Sequence, residues 1–159
     1  MSSNSTADNA DPNLGLIKAR HAEMQLRSFG AGPLFAMAKG DLAYDAEQAA
    51  DVANNLKTLL EFDIGAAWTP GSDSDNHPGA SLAKPATWTH YPKSVELGTQ
   101  YADAVTALAT GDGLGEIRRT IDAVGKSCKA CHDAIRAKKK QGGLNAFHRE
   151  NVRGPVTRL

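Results

Sequence analysis

The residues best suited to chemistry are Cys128, Cys131 and His132, which stand together in the segment Cys-Lys-Ala-Cys-His. They include both cysteines of the 159-residue chain. The C-x-x-C-H spacing is the attachment signature of a c-type haem. On a helix, each thiol can add to one vinyl group of the porphyrin, and the adjacent imidazole then serves as the proximal iron ligand. The motif therefore predicts one haem c held by two thioether bonds.

A C-x-x-C pair also occurs in dithiol redox centres, in zinc sites and as a structural disulfide. A zinc site needs about four ligands, yet the chain has no second cysteine pair, and His77 and His90 have no H-x-x-x-H partner. A thioredoxin-like centre follows a strand in a βαβ unit, whereas residues 114–140 have the pattern of one long helix. Because these alternatives leave the adjacent His132 unexplained, haem attachment is the favoured interpretation.

Four amphipathic segments must position this motif. The first predicted helix covers about residues 12–38, and the second begins at an Asp45 N-cap and ends at about residue 62. The third begins at about residue 88 or 93 and ends at 110, and the fourth covers residues 114–140. Gly40 should stop the first helix. Residues 63–86 are rich in turn residues and form one long connection. This pattern predicts an all-α, antiparallel up-down-up-down four-helix bundle that encloses the covalently bound haem.

Residues 1–11 are expected to be a disordered N-terminal tail, residues 12–140 the bundle domain, and residues 141–159 a C-terminal extension. In the first helix, Gly30, Gly32 and Pro33 should bend or interrupt the helix.

Helical spacing predicts which side chains each helix buries. In the first helix, Ile17, His21, Met24 and Ser28 share one face, and Lys18, Glu23 and Arg27 point elsewhere. The expected core residues of the second helix are Ala49, Val52, Ala53, Leu56, Leu59 and Leu60. Those of the third and fourth helices are Val95, Leu97, Tyr101, Val105, Leu108, Ile117, Ile121, Val124, Cys128, Cys131 and Ile135.

The formal net charge is zero, but the charges are unevenly distributed. Nine of the eighteen Lys and Arg residues lie from Lys126 onward, together with only two of the eighteen Asp and Glu residues. This basic end surrounds the haem motif and could steer an acidic redox partner. The simpler interpretation is that the basic residues complement the helix dipole and offset the haem propionates. The composition gives no reason to expect nucleic-acid binding.

The chain contains no run of about 18 apolar residues, so stable membrane insertion is not expected. Its polar start is unlike a signal peptide. Because haem c is normally attached after export, the sequence is expected to be a periplasmic bacterial protein without its export signal.

Several motifs together give the chain a resemblance to the cytochrome c′ family, the class II c-type cytochromes. These motifs are Ile17-Lys18-Ala19-Arg20, Ala38-Lys39-Gly40, Tyr44-Asp45-Ala46, Lys84-Pro85-Ala86-Thr87-Trp88, and Val124 to Asp133 with Arg136. They extend over about residues 14–140. Ile135 in place of a usual aromatic residue, Pro33 within the first helix, and the extra tail depart from the family pattern.

The resemblance implies roles for individual residues. Cys128 and Cys131 would anchor the haem, and His132 would be the proximal ligand. Arg20 matches a basic residue near the haem propionates, and Arg136 matches one at the exposed haem edge. Met24 occupies the position where low-spin members have a methionine ligand and high-spin members have a bulky apolar residue.

From the residues alone, a methionine on the inner face of a helix, such as Met24, is more often core filling than a ligand. His21, three residues earlier, is the other candidate ligand, although a polar residue beside the haem is the simpler interpretation.

The favoured function is a one-electron carrier with His/Met ligation, not an enzyme, acting with redox partner proteins as a monomer or homodimer. The alternative is a five-coordinate protein that binds nitric oxide or carbon monoxide. A peroxidase-like enzyme has little support, since Arg20 and His21 are adjacent and point about 100° apart.

Overall fold

The computed structural model describes residues 11–138. Within them the chain forms five α-helices: α1 (Pro12–Lys39), α2 (Ala46–Glu61), α3 (Ala86–Thr89), α4 (Tyr91–Thr110) and α5 (Gly113–Ile135). The four long helices confirm the predicted all-α bundle. The expected third helix is divided into the short α3 and the long α4. The tail before residue 11, Lys139, Lys140 and the extension over 141–159 lie outside the described residues.

The helices pack in a ring, with α1 against α2 and α5, and α4 against α2 and α5. Two contacts set the register of α1 on α5. Arg118 Nε donates a hydrogen bond of 2.9 Å to the carbonyl oxygen of Ala38, and a Cβ atom added to Gly125 would lie 3.1 Å from the Phe35 ring. Residue numbers therefore rise on α1 as they fall on α5, so these two helices are antiparallel.

The expected capping residues confirm the helix boundaries. Gly40 ends α1 with a φ of 86°, a left-handed conformation that glycine adopts without steric cost. The Asp45 carboxylate accepts a 2.9 Å hydrogen bond from the Gln48 backbone at the start of α2. Asp11 caps α1 in the same way. Its carboxylate atom Oδ2 also lies 2.7 Å from Nε2 of His77, and this contact links the start of the bundle to the long loop.

Pro33 does not interrupt α1, so the sequence-based expectation of an interruption was wrong. The helix runs unbroken from Pro12 to Lys39. Proline removes the hydrogen bond to the carbonyl four residues earlier, which is that of Phe29. The Phe29 side chain is 82% exposed, so this carbonyl lies on a side of the helix that water can reach. Gly30 allows α1 and α2 to approach closely, because a Cβ atom at this position would lie 2.9 Å from the Leu56 side chain.

The core lies between the four long helices and contains most of the expected residues. Its buried members are Ala31, Leu34, Met37, Ala49, Ala53, Leu56, Tyr101, Val105, Leu108, Ile117, Ile121 and Val124. The prediction for Val95 was wrong, since its side chain is 48% exposed. Val95 is two residues from buried Leu97, about 200° around the helix. No helix among residues 11–138 is long and apolar enough to cross a membrane.

The last helix ends at Ile135, before the predicted Lys140. The backbone that follows pairs instead with the end of the long loop, where Arg136 and Ala83 form an isolated antiparallel bridge. The Lys84 N–H donates to the Ile135 carbonyl and the Ala137 N–H donates to the Leu82 carbonyl, each at 2.7 Å. Because these backbone groups have partners outside the helix, α5 stops there.

Candidate haem site

Helix α5 carries Cys128, Cys131 and His132 in its last two turns. Both cysteines are free thiols and both are half-buried. Burial raises the pKa of each thiol, and the positive charge of Arg27 partly opposes this effect. The thiols are three residues apart on the helix, about 4.5 Å along its axis, which suits attachment to two points on one ligand.

The structure disfavours the other interpretations of the C-x-x-C pair. Within residues 11–138 no group of three or more Cys, His, Asp or Glu side chains could hold a metal ion, as a zinc site requires. A reactive dithiol has a lowered thiol pKa, whereas here burial raises the pKa of both. The segment before the motif is helical rather than a strand.

His132 is exposed on α5 and lies close to the end of the helix. Desolvation lowers the pKa of its imidazole and Arg136 lowers it further, while Asp133 opposes both. A lowered pKa favours the neutral imidazole, which is the form that binds iron. Lys84 Nζ donates hydrogen bonds to the carbonyls of Asp133 and Ala134, at 2.9 and 3.3 Å, and so caps the turn that carries His132.

Arg20 is buried, with 3% of its surface exposed, and it organises the long loop. Its Nη1 atom donates to the Ala67 carbonyl at 2.8 Å and to Ser72 Oγ at 2.6 Å. Its Nη2 atom donates to the Ser72 carbonyl at 2.8 Å and more weakly to Ser81 Oγ at 3.4 Å. These contacts with the protein place Arg20 at the loop; its expected position near the haem propionates stays a prediction.

Trp68 of the long loop and Trp88 of α3 flank the Arg20 guanidinium. Its central carbon lies 5.0 Å from the centre of the Trp68 ring and 5.8 Å from that of Trp88, both within range of a cation–π interaction. The Trp88 indole N–H also donates to the Trp68 carbonyl at 2.8 Å. Since residues 82–84 of this loop pair with the end of α5, Arg20 indirectly supports the turn that carries His132.

Replacing Arg20 with methionine is expected to reduce the free energy of unfolding by about 2–4 kcal/mol, because the loop loses several charge-assisted hydrogen bonds. Chemical denaturation of the haem-loaded protein, followed by circular dichroism, measures the change. Lys18→Met on the exposed side of the same helix is the matched control and should change stability by less than about 0.5 kcal/mol. Equal stability of the two variants would contradict this role for Arg20.

The predicted buried face of α1 was partly wrong. Ile17 is buried, but His21 and Ser28 are exposed, and Met24 is half-buried. The buried face of α1 instead includes Arg20 and Glu23, which are 3% and 5% exposed. The hydrophobic pattern assigns charged residues to solvent, whereas here hydrogen bonds and an ion pair allow them to be buried.

Met24 lies at the same end of the bundle as the cysteine motif. Arg27 on α1 lies about level with Cys128 on α5, in the register set by Ala38 with Arg118 and Phe35 with Gly125. Because the two helices are antiparallel, Met24, one turn before Arg27, lies level with the turn after Cys128. That turn contains Cys131 and His132.

The basic residues around the motif are exposed, but some are already paired. Lys126 Nζ lies 2.6 Å from the Asp122 carboxylate, and Lys129 pairs with Asp133 on the same helix. Arg136 and Lys138 follow α5 and are exposed. The positive charge near the motif is therefore partly neutralised within α5.

A polar cluster beside the motif was missed by sequence reasoning. Glu23 and Arg27 form an ion pair one helical turn apart, and the Arg27 guanidinium carbon lies 4.4 Å from the centre of the Tyr101 ring. The i, i+4 spacing of Glu23 and Arg27 was a signal for the pair. The sequence did not indicate that the pair faces inward.

These features together fit a covalently bound haem. Two free thiols, an accessible imidazole and a methionine on the facing helix lie at one end of the bundle. Cys128 and Cys131 could form the thioethers, while His132 and Met24 could bind iron. Histidine and methionine are an axial pair that haem iron accepts.

The chain matches the family model described as Cytochrome C′ over residues 15–136. It is 36% identical over 126 residues to a cytochrome c′ of Cereibacter sphaeroides, covering 78% of this chain and 84% of that one. A solved Rhodobacter cytochrome c′ aligns with a TM-score of 0.75 and 34% identity, over 82% of this chain and all of that one. A nitric oxide complex of a cytochrome c prime variant from Alcaligenes xylosoxidans aligns with a TM-score of 0.72 and 28% identity, covering 82% and 99%.

Proposed function

Because this chain belongs to the cytochrome c′ family, whose members bind haem c covalently, we propose that it is a one-electron carrier with His132 and Met24 as axial iron ligands. Cys128 and Cys131 would hold the haem through thioether bonds. The haem would supply the redox-active iron, and the protein would tune its potential and hold it near the surface.

The position of Met24 is the observation that carries this proposal. The register of α1 against α5 brings Met24 level with the turn that contains His132. A thioether is a soft ligand that suits haem iron and raises its reduction potential. If both ligands stay bound in both oxidation states, little reorganisation accompanies electron transfer. A half-buried methionine can reach toward the facing helix without a large change in packing.

Optical spectra of the haem-loaded protein in both oxidation states test the proposal. Methionine ligation predicts low-spin spectra in both states and a weak sulfur-to-iron charge-transfer band in the ferric form. A five-coordinate, high-spin spectrum would rule out Met24 as a ligand.

The second candidate function is binding of nitric oxide or carbon monoxide. The aligned Alcaligenes protein was solved as a nitric oxide complex, which favours this alternative. It requires a site beside the iron that is open or from which Met24 can be displaced. Rapid binding of carbon monoxide to the ferrous protein would support gas binding, whereas a ferrous spectrum unchanged by carbon monoxide would favour the electron carrier.

We further propose that the basic end of α5 guides docking of an acidic redox partner. Arg136 and Lys138 are exposed there, near the expected haem edge. They are joined by the partly neutralised Lys126 and Lys129, and the formal charge of the whole chain is zero. Any attraction for an acidic partner would therefore come from the local charge at this end.

Rates of electron transfer with small charged complexes test the docking proposal. Oxidation of the ferrous protein by the anionic hexacyanoferrate(III) is expected to slow by about tenfold as ionic strength rises from about 0.01 to 0.15 M, since screening shortens from about 30 to 8 Å. The cationic tris(1,10-phenanthroline)cobalt(III), an oxidant of similar strength, is the control, and its reaction should not slow. Similar salt dependence for the two complexes would remove the docking claim.

Periplasmic location, the absence of enzymatic turnover and a monomeric or homodimeric state belong to the same proposal. Covalent haem attachment after export supports the first of these. Fractionation of the native host, a peroxide-turnover assay and sedimentation velocity test the three in turn.

A further inference from the structure

The ion pair of Glu23 and Arg27 lies inside the bundle, although haem attachment does not require it. Glu23 is 5% exposed and the Arg27 side chain 24% exposed. The Arg27 guanidinium stacks on Tyr101 of α4, with its carbon 4.4 Å from the ring centre. The pair thus bridges α1 and α4.

The same pair is next to the haem-attachment helix. Cys128 packs against the core cluster that contains Tyr101, the residue on whose ring Arg27 stacks. The register of α1 on α5, set by Ala38 with Arg118 and Phe35 with Gly125, also brings Arg27 about level with Cys128. A thioether bond to Cys128 would necessarily place the porphyrin edge beside this thiol. The buried charges would then be close neighbours of the haem.

The pair is also incompletely satisfied. Glu23 Oε2 and Arg27 Nε are buried and have no hydrogen-bond partner among the described residues. Burial of such a pair carries a desolvation cost that apolar residues of similar size would avoid. Poorly solvated charges act more strongly on their surroundings than exposed ones, because the local dielectric constant is low.

We propose that Glu23 and Arg27 set the reduction potential of the haem through opposing charges that are poorly exposed to solvent. This inference rests on the proposed attachment of haem at Cys128 and Cys131. Reduction adds one electron to the iron centre. A nearby positive charge stabilises the reduced form and raises the potential, and a nearby negative charge lowers it. With both charges present, the potential should lie between the value expected with Arg27 alone and the value expected with Glu23 alone.

Midpoint potentials of three haem-loaded variants, measured at one pH and ionic strength, test the proposal. Glu23→Gln leaves Arg27 unopposed and is expected to shift the potential upward. Arg27→Gln leaves Glu23 unopposed and is expected to shift it downward. The double variant Glu23→Gln/Arg27→Gln should return close to the wild-type potential, because both charges are removed.

The exposed pair of Asp122 and Lys126 on α5 provides the matched control. These side chains are 61% and 77% exposed, so water and salt screen them. Asp122→Asn and Lys126→Gln make the same charge changes and should shift the potential much less than the buried variants do. Shifts of the same sign in the two buried single variants, or shifts no larger than those of the exposed controls, would overturn the proposal.

Substitute variants and optical spectra distinguish a failure of haem loading or of Met24 ligation from a failure of the ion-pair proposal. If a glutamine variant fails to load haem, Glu23→Leu and Arg27→Met make the same charge changes and carry the same expected signs. The optical spectrum of each protein reports the spin state separately. High-spin spectra throughout would refute ligation by Met24 without affecting the sign test. Low-spin spectra with no opposite shifts would refute only the role of the ion pair.

Discussion

Replacing both Cys128 and Cys131 with alanine is expected to abolish covalent haem attachment. Each thiol would supply one thioether bond, and the chain has no other cysteine. His132 would remain able to bind iron, so any haem left in the double variant should be extractable by acidified organic solvent. Haem staining after denaturing electrophoresis and the mass of the intact protein measure the loss, which should be complete.

Lys129→Ala is the control for this experiment. Lys129 lies within the same motif, is exposed and pairs with Asp133 on the helix surface. Its replacement should leave haem loading unchanged in a host able to mature c-type cytochromes. Covalent haem in the double cysteine variant, or a colourless wild-type protein from that host, would contradict the assignment of the attachment site.

Met24→Leu is expected to convert the haem from low spin to high spin and to open the iron to carbon monoxide. Leucine retains much of the volume of methionine but has no sulfur to bind iron. If Met24 binds the iron, as we propose, carbon monoxide must compete with its thioether in the wild type. Suppose that the iron is free of methionine in about 1% of the ferrous wild-type protein. Replacing Met24 should then raise the apparent carbon monoxide affinity about 100-fold.

Met37→Leu is the matched control, because Met37 lies on the same helix and is 1% exposed in the core. It should leave the spin state and carbon monoxide affinity unchanged. Titration of each ferrous protein with carbon monoxide, followed by absorption spectroscopy, gives both quantities. A low-spin spectrum in Met24→Leu would show that another residue binds the iron. His21 would then be the first residue to replace.

Local sequence signals predicted the helix boundaries well wherever a single side chain or backbone conformation sets the end. Gly40 and Asp45 act where they stand, through a left-handed turn and a capping hydrogen bond. Periodicity also identified the apolar core of α2 and most of that of α4. The resemblance to the cytochrome c′ family and the covalent haem c expected from it are confirmed by the comparisons.

The prediction of which charged residues are buried failed, because burial of a charge depends on distant partners. Arg20 is buried by groups 47 to 61 residues away in the chain. Glu23 and Arg27 face inward, where Arg27 meets Tyr101 on another helix. The end of α5 was misplaced for the same reason, since residues 82–84 pair with the backbone after Ile135.

The sequence alone determined the cofactor and the helical class, because a C-x-x-C-H motif and amphipathic spacing are properties of short segments. It also identified Met24 as a candidate ligand. Only the tertiary structure decided that Met24 lies level with His132 and that a largely buried ion pair lies level with Cys128. These features depend on packing between helices far apart in the chain, where the free energy of burying a side chain is set by neighbours that local sequence does not specify.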